Sequence, residues 1–244
     1  MAEFKVYSDF DPQGSQLQAI THLTNGIQKG QEFQTLLGIT GSGKTFTMAK
    51  VIEQVQKPTL ILSHNKVLAA QLYGEFKSLF PDNHVEFFIS YYDYYQPEAY
   101  LPTKDLYIEK DMSINEEIDR MRLKATSSLI SNKDVIIVSS VSCIYGLGNP
   151  DDYAKLMVHF KVGNTIELKP TFKKLVSIHY VRNDLVLESG VFRVRGDVIE
   201  ILPAYEELAY RIELFGEEIE RIYSFHPISG EILNEQKELF IFPA

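Results

Sequence analysis

Gly38-Ile-Thr-Gly-Ser-Gly-Lys-Thr45 has the residue types and spacing of a loop that holds phosphate. Gly38, Gly41 and Gly43 admit backbone angles that a side chain forbids. Such a loop curls with its N–H groups inward, and the positive end of a following helix adds to the field. In that arrangement the backbone of Gly38, Ile39, Thr40, Gly41, Ser42 and Gly43 surrounds the phosphates. Lys44 places a point charge on the β and γ phosphates, and the Thr45 hydroxyl ligates Mg²⁺. The match is complete, which a glycine turn before a helix does not require. Upstream, Phe10 and Gln16 offer a ring that could stack on a base and an amide that could read an adenine edge. On the residues alone, that stretch reads better as a polar segment with a helix starting near Gln16.

A second feature is a crowding of aromatic rings. Six of the fourteen tyrosines fall between Tyr91 and Tyr107: Tyr91, Tyr92, Tyr94, Tyr95, Tyr100 and Tyr107. Pro97 and Pro102 break helix, and the flanks favour strand. A β-hairpin over about 91–114 fits best. Alternation cannot hide all four of Tyr91, Tyr92, Tyr94 and Tyr95 on one face. Projecting rings could stack on nucleic acid bases, each stack being worth roughly 1–3 kcal/mol whatever the base. Packing of the same rings against the body of the protein is an equal alternative.

The elements that must position these residues alternate between strand and helix. Apolar strands are expected at Phe33–Ile39, Pro58–Ser63, His84–Ser90 and Asp134–Val138, the second and the fourth of them buried. Helices are expected over Lys44–Gln56, with Phe46, Met48, Val51, Ile52 and Val55 inward, and over Asn65–Phe80, with Leu68, Leu72, Phe76 and Leu79 inward. A third helix carries Ile118, Met121, Ala125 and Leu129, and a Ser113/Glu116 capping box marks its start. This alternation implies an α/β domain with a parallel sheet over 1–150. From about Lys161 the pattern becomes short strands and glycine turns: Val191–Arg195, Val198–Leu202, Tyr210–Phe215 and Glu218–Phe225. A smaller antiparallel β-rich domain over 151–244 follows.

The bulk numbers set limits. At 244 residues, with 45% hydrophobic and 23% charged residues, the chain has the composition of a globular protein. No apolar run reaches the ~18–20 residues that span a bilayer, and the N-terminus lacks the pattern of a secretory signal. The expectation is a cytoplasmic protein without membrane partners. One cysteine, Cys143, excludes an internal disulfide. A net charge of −9 argues against binding DNA by charge alone and suits docking to a basic protein surface.

Four stretches closely resemble the B-subunit family of the bacterial UvrABC excinuclease, which verifies damage in nucleotide excision repair. They are Thr35–Ala49, His64–Tyr73, Ser90–Tyr100 and Ser140–Gly148; the third is nearly private to that family. The resemblance implies a superfamily 2 helicase-like phosphate-loop domain using ATP and Mg²⁺, an inserted hairpin, and a β-rich domain that docks the A subunit, UvrA. It implies loading onto damaged double-stranded DNA, threading of one single strand behind the hairpin, and recruitment of the nuclease subunit, UvrC. Gln16 then aligns with the family's adenine-reading glutamine and Phe10 with the aromatic near the base. Ser15 and Leu17 replace the family's usual Asp and Pro beside that glutamine. Tyr91, Tyr92, Tyr94 and Tyr95 match the hairpin base, Tyr100 and Tyr107 positions nearer its tip. Lys110 and Asp111 match the fastening of the hairpin to the body. Arg182, Arg193, Arg195, Arg211 and Glu213 match the charged surface that meets the A subunit. No Asp-Glu box and no second motor domain follow within the 244 residues, so the expectation is ATP binding without efficient turnover. The alternatives are a transcription-repair coupling factor, against which the intact loop argues, a small-molecule P-loop kinase, and a pure interaction module.

Overall fold

The computed structural model describes residues 3–90, 92–96, 99–101, 106–108, 111–144, 153 and 155–244. The chain divides into two compact units, Met1–Ser113 with Ser128–Tyr145, and Ile114–Ser127 with Gly146–Ala244.

The first unit runs α1 (Ser15–Gln28), α2 (Lys44–Val55), β1 (Thr59–Leu62), α3 (Lys66–Leu79) and β2 (His84–Phe88). The strands β3 (Tyr92–Gln96), β4 (Ala99–Leu101), β5 (Leu106–Ile108) and β6 (Asp111–Ile114) follow, and β7 (Val135–Ser139) completes it; the intervening α4 (Glu116–Ser131) belongs to the second unit as far as Ser127. The core sheet has the order β1–β7–β2, and both pairings are parallel. β7 is central because Val135, Ile136 and Val138 are apolar on both faces and buried.

Three expectations need correction here. Phe33–Ile39 forms no strand, and Phe33, Leu37 and Ile39 are exposed, Leu37 by 94%. An apolar segment becomes a strand only where its backbone finds a ladder, and the described residues offer it none. β1 is not fully buried: it is the sheet edge, with Leu60 and Leu62 facing out. The cap of α4 is Asn115 rather than a Ser113/Glu116 box, because Ser113 lies in β6. Asn115 Oδ1 accepts from the N–H groups of Glu117 at 2.9 Å and Ile118 at 3.3 Å. That helix buries Ile118, Arg122 and Ala125, whereas Leu129 is exposed.

The tyrosine segment does form paired strands. β4 and β5 are antiparallel with Tyr100 directly opposite Tyr107, and β3 pairs with β6. Tyr91 and Lys110 lie outside the described residues, as do the side chains of the other hairpin tyrosines.

An N-terminal strap across the first unit had no sequence signal. Phe4 is buried edge-to-face against Phe80 at 5.8 Å. The Gln56 amide bonds both the N–H and the carbonyl of Phe4, and Glu53 Oε1 accepts from Val6 N at 2.8 Å. Asn83 accepts from Lys5 N and donates to Glu3 O and to the Asp134 carboxylate.

The second unit contains β8 (Val158–Lys161), α5 (Leu168–Ser177), β9 (Val181–Arg182), β10 (Val191–Arg195), β11 (Val198–Leu202), β12 (Ala209–Phe215), β13 (Glu218–Phe225), β14 (Ile232–Gln236) and β15 (Glu238–Ile241). Its six-stranded sheet has the order β14–β13–β12–β11–β10–β9, antiparallel except for β9 on β10. Alternation divides the faces. Phe192, Ile199, Ile201, Ile212, Leu214, Ile219 and Ile222 form the core with Leu175 of α5, Phe160 of β8 and Ile241 of β15. The opposite face carries the charges. α5 was not expected from the sequence, although Leu168, Phe172 and Leu175 recur at helical spacing.

Candidate functional site

The phosphate loop opens directly into α2, whose cap residue is Gly43. Gly41 and Gly43 have φ of 80° and 74°, in the left-handed region that glycine enters freely. With no side chain at the cap, the free N–H groups of the first helical turn are left for an anion. Lys44 Nζ folds back over the loop and donates to Gly38 O at 3.0 Å and Ile39 O at 2.8 Å. A phosphate entering the curl would take the lysine from these carbonyls. A Cβ at Gly38 would sit 2.6 Å from Ser42 Oγ, whereas one at Gly41 would meet nothing within 4 Å.

Gln16 is built into this loop. Its Nε2 donates to Ser42 O at 3.0 Å, its Oε1 accepts from Gln13 N at 3.0 Å, and a Cβ on Gly43 would collide with the amide. Phe10, by contrast, is exposed and makes only a local turn from its N–H to Ser8 Oγ. The structure therefore joins Gln16, Lys44 and Thr45 at one helix end and leaves the Phe10 ring outside. These residues fit a Mg²⁺-bound nucleotide: free N–H groups and Lys44 for the phosphates, the Thr45 hydroxyl as a metal ligand. No cluster of three or more His, Cys, Asp or Glu side chains that could hold a metal by itself occurs among the described residues.

The second candidate site is the polar face of the β-rich sheet. Register places Arg193, Glu200, Arg211, Tyr223 and Glu235 in one row across five strands, with Glu213 opposite Arg221 in the next. Glu200 is only 4% exposed and accepts from Arg193 Nε on one side and from Arg211 Nε at 2.7 Å on the other. Arg211 also donates to Tyr223 Oη at 3.0 Å, and Tyr223 donates to Glu213 at 2.7 Å. The Arg211 guanidinium lies 4.8 Å from the Phe225 ring centroid. Burial pushes the Glu200 carboxyl up, but hydrogen bonds from Arg193 and Arg211 and their charges outweigh it and hold the group below the ordinary carboxylate value.

The five charged positions expected to face a partner thus separate. Arg193 and Arg211 keep side-chain exposures of 17% and 29% and act largely as internal struts on Glu200. Arg182 and Arg195 stand at the open end by β9. Both are held by Asp184, whose carboxylate accepts from Arg182 and whose carbonyl accepts from Arg195. The hydrogen bond from Arg182, then that from the Val194 N–H, keeps the Asp184 carboxyl below its usual value. Glu200, Asp184 and Tyr223 were missed by sequence reasoning. A lone acid inside Val198-Ile-Glu-Ile-Leu202 was the available signal for Glu200, since a carboxylate on an otherwise apolar strand needs a partner.

Comparison with known proteins gives two family matches. Residues 9–140 match the family described as the type III restriction enzyme, res subunit, and residues 158–244 match the UvrB interaction domain. UvrABC system protein B of Treponema denticola is 62% identical over 244 residues, covering 100% of this chain and 37% of that protein. The proteins of the same name from Syntrophotalea carbinolica and Staphylococcus aureus are 58% and 57% identical, with 37% and 36% of their lengths covered. The chain therefore spans a little over a third of the length of the curated relatives it matches. Helicase-like in its first part and carrying the interaction domain in its second, the chain belongs to the UvrABC system protein B family.

Proposed function

We propose that this chain supplies the nucleotide-binding, strand-gripping and partner-docking parts of the damage-verifying B component in nucleotide excision repair. The observation that carries the reading is the hairpin between β2 and α4, with Tyr100 opposite Tyr107, beside a complete phosphate loop in the same unit. No adaptor or small-molecule kinase reading gives that hairpin a task. Lys44 and the first turn of α2 hold the phosphates of ATP, Thr45 supplies a ligand to Mg²⁺, and Gln16 ties the adenine end to the loop through Ser42. Mg²⁺ would neutralise phosphate charge there. Tyr92, Tyr94 and Tyr95 grip bases of one strand of damaged DNA by stacking, which explains binding by an acidic protein. The β-rich unit docks the A subunit, and the C nuclease acts after this component is in place.

The test is Lys44→Ala in the 244-residue chain, read by calorimetric titration with Mg²⁺-ATP and by binding to purified A subunit. Nucleotide affinity should fall more than about tenfold, the loss of one charge-assisted contact of roughly 1.5–3 kcal/mol, while A-subunit binding is unchanged. Loss of both would refute the division of labour between the two units.

A further inference from the structure

The segment that leaves β9 is held at almost every residue. Asn183 N donates to Phe192 O at 3.0 Å, and Asn183 Oδ1 accepts from the N–H groups of Leu185 at 3.0 Å and Val186 at 3.2 Å. The Asp184 carboxylate accepts from Arg182 and, at 2.9 Å, from the Val194 N–H. Its carbonyl accepts from Arg195 at 3.1 Å. Leu187 turns inward against the small cluster of Leu202, Ala209 and Phe225. A segment fixed by these bonds presents Leu185 at 85% exposure, with Val186 and Val181 also exposed.

Single exposed apolar residues are ordinary. Three within six positions, on backbone this well tied and flanked by two arginines, have the anatomy of an interface centre. A rigid apolar anchor gives up little freedom on binding, and arginine is enriched around such anchors. The electrostatics agree. Two guanidinium groups stand on Asp184 at this tip, Arg182 on its carboxylate and Arg195 on its carbonyl, so two positive charges meet one negative charge there on a chain of net charge −9. The complementary surface is an apolar recess rimmed by carboxylates.

We propose that Leu185 and Val186 are the apolar anchor by which the β-rich unit docks the A subunit, with Arg182 and Arg195 as its charged flanks. Arg193 and Arg211 are then supports of the face rather than its contacts. This rests on the A-subunit reading above and narrows it to one end of the sheet.

The experiment is titration of the 244-residue chain and its variants against purified A subunit, with thermal melts of each variant. Leu185→Ser should weaken binding about 30-fold, the size of an interface hot spot, and Leu185→Met should stay within about threefold of the parent. Val186→Ser should weaken it by a smaller factor. Melting temperatures should not move, because these side chains are out in solvent. Arg195→Ala should weaken binding about fivefold and flatten its salt dependence. If Arg195→Ala weakens binding while Leu185→Ser and Val186→Ser do not, the docking reading stands and the anchor is overturned. If the parent chain does not bind the A subunit at all, both fall.

Discussion

Replacing Glu200 with glutamine tests the physics of the polar face most directly. The side chain keeps its volume and loses its charge, and its amide nitrogen now meets a guanidinium as a second donor. Both arginines that Glu200 holds, Arg193 and Arg211, would be left without their counter-ion. Removing one member of a fully buried pair costs about 3–5 kcal/mol. Here the arginines retain 17% and 29% exposure and Arg211 keeps Tyr223, so part of that loss is recovered by water and by the remaining partner. The expected loss is about 2 kcal/mol, or about 8–10 °C in the transition of a domain near 100 residues. Urea and thermal unfolding followed by circular dichroism, with tyrosine emission as a second probe, would measure it. The pH dependence adds a sign. The folded-state carboxyl is held below its unfolded value, so its contribution is present above the unfolded pKa of about 4.3 and disappears as pH falls through the folded one. The gap between parent and Glu200→Gln should therefore be full at pH 7 and close in acid. Equal midpoints at pH 7, or a gap that does not narrow between pH 5 and pH 3, would refute the reasoning.

Other predictions address the first unit. Phe4→Ala should destabilise it by about 3 kcal/mol, as for a large aromatic lost from a core, and a denaturation midpoint unchanged from the parent would contradict the strap's role. Gln16→Ala should weaken Mg²⁺-ATP binding and reduce the preference for ATP over GTP; undiminished preference would remove Gln16 from base reading. Tyr94→Ala or Tyr95→Ala should weaken single-stranded DNA binding by roughly 1–3 kcal/mol without shifting the melting temperature. Unchanged DNA affinity would return those rings to packing.

What the sequence disclosed and what it hid follow from the range of the interactions. The phosphate loop, the helices starting at Ser15, Lys44 and Lys66, and the strands β10, β11, β12 and β13 of the β-rich sheet were legible because each is written in local residue choice and period, whereas β9 and β14 were not anticipated. The parallel pairing of this domain's sheet followed from strand–helix alternation, whereas its order, with β7 between β1 and β2, was not read. The failures at Phe33–Ile39 and β1 have one cause: apolar composition announces a strand but not whether a neighbour exists to receive it. The cap of α4 was misread by two residues because Ser113 and Asn115 are both able caps, and the end of β6 decides between them. The lone acid in Val198–Leu202 signalled that Glu200 needs a partner, but which partner depends on register between strands, and Asp184 acts through a loop closing back on β10, which pattern along one strand does not contain.

The unpaired stretch ahead of the phosphate loop has a thermodynamic corollary. The loop is anchored firmly on its α2 side, while Phe33, Leu37 and Ile39 approach it through backbone that belongs to no sheet, in the same unit as β1, which among the described residues pairs on one side only. Any event that draws residues 33–39 into a ladder stiffens the cradle, and any phosphate held in the cradle restrains those residues in turn. If residues 33–39 do enter a ladder, filling the loop and forming that ladder would be linked equilibria that favour each other by the same factor. On the proposed nucleotide reading, ATP affinity would become a gauge of ladder formation at residues 33–39, and a segment that pairs with them would act as a positive effector of ATP without touching it.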